Sequence, residues 1–158
     1  KPVLHKVFNI ENNMGLTHYL CDQNLKDIND IIKNTKIDNL NLITSGVIPP
    51  NPSELLASDK MGSLLKKLTA DFDVVLLDAP PIMAVTDSIL ISKYVTKFIL
   101  VVRIGVSEKG GTSRSIQSLN QVNTQISGLV MNDLDYNNSY YSNSYYYQNY
   151  YYYNSENE

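Results

Sequence analysis

At 158 residues, with 43% apolar and 18% charged side chains, the chain has room for one domain with a sizeable core. The net charge of −3 leaves no basic footprint, which argues against nucleic acid as a partner. A single cysteine, Cys21, excludes an internal disulfide and suits a reducing compartment. No apolar run approaches the ~20 residues of a membrane span, and no secretory signal is visible. The chain opens on Lys1 and enters directly on apolar-rich sequence, the expectation for a fragment or a processed product.

In chain order, Val3–Phe8 is a short apolar segment. Gly15 followed by Leu16, Tyr19 and Leu20 has the spacing of one short helix. His5 and His18 have no cysteine or carboxylate at metal-ligand spacing and read as surface or packing residues. Residues 25–32 form a helical turn leading into a short edge strand, and Asn39–Thr44 alternates polar and apolar as a strand does. Asn51-Pro52-Ser53-Glu54 is a helix start, with Asn51 as N-cap and Pro52 at the first helical position. After a break near Ser58, Met61, Leu64, Leu65 and Leu68 mark an amphipathic helix with Lys60, Lys66 and Lys67 on its wet side. A helix opens at Thr86-Asp87-Ser88, a second strand covers Phe98–Val102, a helix covers residues 107–122, and a third strand covers Ile126–Met131. This alternation predicts an α/β fold with a parallel sheet.

Residues 71–81, Asp-Phe-Asp-Val-Val-Leu-Leu-Asp-Ala-Pro-Pro, are the stretch around which the rest is organised. The uninterrupted run Val74–Leu77 predicts a strand buried on both faces. Asp78 then falls at its C-terminal end, where open α/β sheets bind ligands. A carboxylate there either holds magnesium between β- and γ-phosphates, as in nucleoside triphosphatases, or caps the next turn. The pattern alone does not separate the two.

From about Asp135 the composition changes. Residues 136–153 hold ten of the twelve tyrosines, interleaved only with Asn, Ser and Gln. With no aliphatic residue to bury, such a segment is expected to be disordered. It divides the chain into a body, residues 1–134, and a tail, residues 135–158. The same composition also suits prion-like self-association.

Taken together, these motifs resemble the bacterial tyrosine kinases of capsular and exopolysaccharide biosynthesis. They are Lys1-Pro2-Val3-Leu4-His5-Lys6-Val7-Phe8, Gly15-Leu16-Thr17, Ser45-Gly46 before Pro-Pro-Asn-Pro-Ser-Glu-Leu-Leu, Asp71-Phe72-Asp73 with Asp78-Ala79-Pro80-Pro81, and the terminal tyrosines. The resemblance covers essentially the whole chain. It implies a P-loop NTPase-like fold of the partitioning-ATPase type, ATP and Mg2+ as cofactors, and transfer of the γ-phosphoryl group to tail tyrosines of a neighbouring subunit. Asp78 matches the family's Walker B aspartate, acting on magnesium and on the attacking phenol. Lys1-Pro2 matches the end of a second, aspartate-rich Walker motif. Asn132 matches a residue that contacts the adenine, although Asp133 stands where the family often has a basic residue. The implied phosphoacceptors are Tyr136, Tyr140, Tyr141, Tyr145, Tyr146, Tyr147, Tyr150, Tyr151, Tyr152 and Tyr153. The implied partner is a membrane polysaccharide co-polymerase that regulates chain length. Homo-oligomers in the cytoplasm, at the inner face of the cell membrane, complete the picture.

One departure is large. A P-loop requires Gly-x-x-x-x-Gly-Lys-[Ser/Thr] to cradle phosphates, and no such run exists in these residues. Gly110-Gly111-Thr112-Ser113 lacks both the loop and the lysine and reads as the entrance to a helix. The expectation is therefore the C-terminal part of a kinase domain, inactive alone. Two other readings stand beside it: a non-catalytic interaction module whose tail docks on a membrane partner, and a partitioning-type ATPase switch.

Overall fold

Amphipathic periodicity dictates the centre of the fold. Ser58 ends one helix and starts the next: its Oγ accepts from the Met61 N–H at 3.3 Å, which satisfies one of the free donors of a helix N-terminus. From there α4 (Asp59–Asp71) turns Met61, Leu64, Leu65 and Leu68 into the core, each at most 6% exposed. Around this stripe pack Tyr19 and Leu20 of α2 (Leu16–Cys21), Ile28 and Ile31 at a short 3-10 turn (Ile28–Asp30), and Ile91 of α5 (Asp87–Ser92).

The computed structural model of the chain describes residues 2–22, 24, 25 and 27–133. The tyrosine-rich tail and the expected boundary at residue 135 lie outside the described residues. Ahead of the core is α1 (Leu4–Val7), within the segment read only as apolar from the sequence. Strands β1 (Ile32–Asn34) and β2 (Asn41–Ile43) pair antiparallel, Ile32 opposite Ile43. Their connection is held by Thr35, whose Oγ1 donates to the Leu40 carbonyl at 2.8 Å. Helix α3 (Pro52–Ala57) begins as predicted. Its expected cap differs: Asn51 makes no side-chain cap bond, and its Nδ2 instead donates to Glu54 Oε2 at 3.0 Å. Farther on, β3 (Ile99–Arg103), α6 (Lys109–Gln121) and β4 (Gly128–Asn132) form a βαβ unit, with β3 and β4 parallel and Arg103 opposite Asn132. A parallel pair needs such a crossover.

The chain leaving β2 docks α2. The N–H of Leu16 donates to the Thr44 carbonyl at 2.8 Å and that of Thr17 to the Ser45 carbonyl at 3.0 Å. Asn12 clamps the same corner at two points: its Oδ1 accepts from the Gly46 N–H at 2.9 Å and its Nδ2 donates to the Gly46 carbonyl at 3.0 Å. Gly46 has φ +76°, a conformation that favours glycine.

The sheet corrects one expectation. Residues 74–77 belong to no strand ladder among the described residues. Val75 and Leu77 pack onto the core, whereas Val74 is 72% and Leu76 84% exposed. In β3, Ile99 and Val101 are exposed while Leu100 and Val102 are half-buried. The uninterrupted apolar runs predicted burial on both faces, but the described residues cover only one face of 74–77 and β3, and in β4, also expected to be buried, Leu129, Val130 and Met131 are all exposed.

Candidate functional site

Asp78 follows Leu77, whose side chain is seated against the helical core. The carboxylate itself is exposed, and no hydrogen bond or ion pair engages it among the described residues. The two prolines after it have fixed φ and no N–H, so the arm they form is held through its carbonyls. Pro80 accepts from Ser88 Oγ at 2.7 Å and Pro81 from the Ala84 N–H at 2.9 Å. Ser88 is 1% exposed, in the first turn of α5. That turn is in turn tied to α3, because Ser53 Oγ donates to Asp87 Oδ1 at 3.2 Å.

Asn132 ends β4. Its carbonyl accepts from the Ile104 N–H at 2.9 Å, and its Oδ1 accepts from the Asp133 N–H, also at 2.9 Å. Asp133 has φ 61°, left-handed backbone that Asp tolerates better than most residues. The turn brings its carboxylate to Arg103, with Nε 2.6 Å from Oδ2. Thus the structure groups Asn132 with Arg103 and Asp133. No hydrogen bond joins Asn132 to Asp78 among the described residues.

Sequence reasoning missed Arg103 and Ser88. The only signal for Arg103 was its position just after an apolar run, the counterpart of Asp78 and Asn132 at the ends of theirs. Ser88 was read as part of a helix start, and nothing local pointed to Pro80. His18 buries an Nδ1 that has no hydrogen-bond partner among the described residues, against Gly46, where a Cβ would stand 2.8 Å from that nitrogen. The ten candidate phosphoacceptor tyrosines lie outside the described residues.

The donor set fits magnesium in one respect. Mg2+ keeps several waters and takes one or two protein carboxylates together with substrate phosphates, and an exposed, unengaged carboxylate such as Asp78 supplies one such ligand. Among the described residues no three His, Cys, Asp or Glu side chains cluster to hold an ion. The residues do not fit a triphosphate. Gly110 and Gly111 lie inside the first turn of α6 rather than in a loop, and no lysine stands at P-loop spacing after them.

No protein-family model matches the sequence. The chain is 35% identical over 128 residues to the tyrosine-protein kinase Etk of Escherichia coli, which covers 81% of this chain and 17% of Etk. It is 33% identical over 132 residues to the tyrosine-protein kinase YwqD of Bacillus subtilis, covering 84% of this chain and 55% of YwqD. The solved structure of the Etk kinase domain superposes with a TM-score of 0.80 at 34% identity, over 85% of this chain and 52% of that chain. The chain thus spans about half of the shorter relative and of the solved domain, and under a fifth of full-length Etk. The fold is the mixed α/β, P-loop NTPase type of those kinase domains, and the homologues and structural neighbours this chain resembles over part of their length are bacterial tyrosine kinases.

Proposed function

We propose that this chain works as part of an ATP-dependent tyrosine autokinase that regulates capsular or exopolysaccharide biosynthesis and export. The observation that carries the reading is the kinase similarity of the body, continuous in one polypeptide with ten tyrosines in residues 136–153. Asp78 holds magnesium through its free carboxylate. Magnesium, when bound, offsets the charge on the transferring phosphoryl group. The triphosphate is gripped by a P-loop outside these residues, since none occurs within them. Asn132, with its Nδ2 unengaged among the described residues, offers a donor to the adenine edge. The acceptors are the tail tyrosines of a neighbouring copy, ten phenols gathered within residues 136–153. The reading places the oligomer at the inner face of the membrane, beside a polysaccharide co-polymerase. No helix among the described residues is long and apolar enough to cross a membrane.

One observation favours a second reading for the chain alone: without a phosphate cradle it is a docking module carrying a tail. Two measurements test the proposal. The 158-residue chain is expected to show no low-micromolar binding of magnesium-ATP by calorimetry and to incorporate no phosphate. Joined to a P-loop segment of the family, it is expected to incorporate phosphate from ATP into residues 136–153, mapped by mass spectrometry, only when magnesium is present. Phosphate confined to serine or threonine, or no phosphate at all, sinks the kinase reading in favour of the docking module.

A further inference from the structure

We infer that Ser88 is a positioning residue for Asp78, acting through the Pro80 carbonyl; the metal-binding consequence rests on the reading of Asp78 given above. The hydroxyl is almost completely buried and its donor goes to Pro80, 2.7 Å away and eight residues back in sequence. A hydroxyl buried without a partner is costly, so this site holds a serine stably only while Pro80 stays in reach. The converse also holds. Pro80 and Pro81 have no N–H to offer, so the hydrogen bonds that hold these two residues run through their carbonyls.

Asp78 is therefore pinned from two sides. Upstream, Leu77 is packed on the core. Downstream, the Pro80 peptide is tied to α5, which Ser53 ties to α3 through Asp87. Between these anchors lie only Asp78 and Ala79, and Ala79 is itself restricted because a proline follows it. Residues 74–77 have no ladder bonds among the described residues, so the Ser88 bond takes a larger share of the positioning than in a fully paired strand. A backbone anchored this way presents the Asp78 carboxylate from a fixed Cα position, although the side chain itself is unengaged among the described residues.

The test uses the 158-residue chain labelled with 15N, with Mn2+ as the paramagnetic probe. In Ser88→Ala the order parameters of the Asp78 and Ala79 amides should fall while those of α4 stay unchanged. The Mn2+ concentration that half-broadens those two amides should rise by about 3- to 10-fold, less than the ~10–100-fold cost of losing a group bonded directly to a metal ligand. Ser88→Thr, which keeps the hydroxyl, should restore both readouts. Ser92→Ala, which removes bonds to Ile89 within α5 and from Thr124 but none to Pro80, should leave both as in the parent. If Ser88→Ala fails to fold, Ser88→Thr decides by its match to the parent. Unchanged order parameters in folded Ser88→Ala, or a Ser88→Thr variant as loose as the alanine, overturn the inference. If Mn2+ does not broaden Asp78 in the parent chain, the metal reading fails, and the order parameters still decide the role of Ser88.

Discussion

Arg103 and Asp133 meet across the ends of two neighbouring strands, Nε 2.6 Å from Oδ2, beside the candidate adenine contact Asn132. The acidic residue at 133 departed from the basic residue common in the family. The structure supplies a guanidinium at the same corner, from the opposite strand in register with Asn132.

Both partners are more than half exposed, so the pair is worth little to the fold. A double-mutant cycle with Arg103→Ala and Asp133→Asn should give a coupling of about 0.2–1 kcal/mol in urea unfolding. At 1 M salt, where the Debye length is about 3 Å, it should shrink. In an intact kinase Arg103→Ala should weaken ATP binding more than Arg103→Ala/Asp133→Asn does, because only the single variant leaves an unpaired negative charge beside the nucleotide. Equal affinities for the two variants would place this corner outside the nucleotide site.

Gly15 tests the docking of α2. A Cβ there would fall 2.2 Å from the Thr44 carbonyl oxygen and 2.6 Å from the Gly46 nitrogen, both backbone atoms with little room to move. Gly15→Ala should destabilise the chain by at least the ~1–3 kcal/mol typical of overpacking. Gly111→Ala should do the reverse. It is helical and nothing lies within 4 Å of its Cβ position, so roughly 0.5–1 kcal/mol of stabilisation is expected. Urea midpoints of the two variants, compared with the parent, check both signs.

A similar contrast separates the core from the uncovered face. Leu64, 1% exposed, should cost about 2–5 kcal/mol when replaced by alanine. Leu76→Ser should change stability by less than about 0.5 kcal/mol, because that side chain is 84% exposed. A large loss from Leu76→Ser would show that residues 74–77 are covered in solution after all.

What was legible in the sequence was whatever depends on a local period. The α4 stripe at Met61, Leu64, Leu65 and Leu68, the start at Pro52 and the alternation of helices and strands all follow from neighbours within one or two turns. The burial of residues 74–77 was not legible, because a strand's cover comes from other segments and an apolar run only states the need for it. The Asn12–Gly46 clamp joins residues 34 apart and the Arg103–Asp133 pair residues 30 apart. Side chains meeting over such separations leave no spacing to read. Asp78 stood out as a candidate because a carboxylate closing an apolar run is visible locally; the Ser88–Pro80 bond was hidden because it runs through a backbone carbonyl.

The tail should act by accumulated charge. Ten phenols within residues 136–153 have near-identical neighbours, so nothing marks one of them for an active site. Phosphorylating about half would add roughly −8 to −10, enough to oppose docking of tails on neighbouring subunits. Single Tyr→Phe replacements in an intact kinase should be nearly silent, and cumulative ones should progressively weaken ATP-driven dissociation, read by light scattering. Loss of the whole response on changing Tyr146 alone would make the tail a specific docking motif.

The most direct test of the kinase account is Asp78→Asn in a kinase domain that joins these residues to a P-loop. Asn keeps the size of the side chain and removes the charge a divalent cation requires. Because Asp78 is exposed and unengaged among the described residues, the variant should unfold at the parent's temperature. Its transfer of phosphate from magnesium-ATP to the tail tyrosines should nonetheless fall to background. Parent-level tyrosine phosphorylation in a folded Asp78→Asn protein would contradict the account.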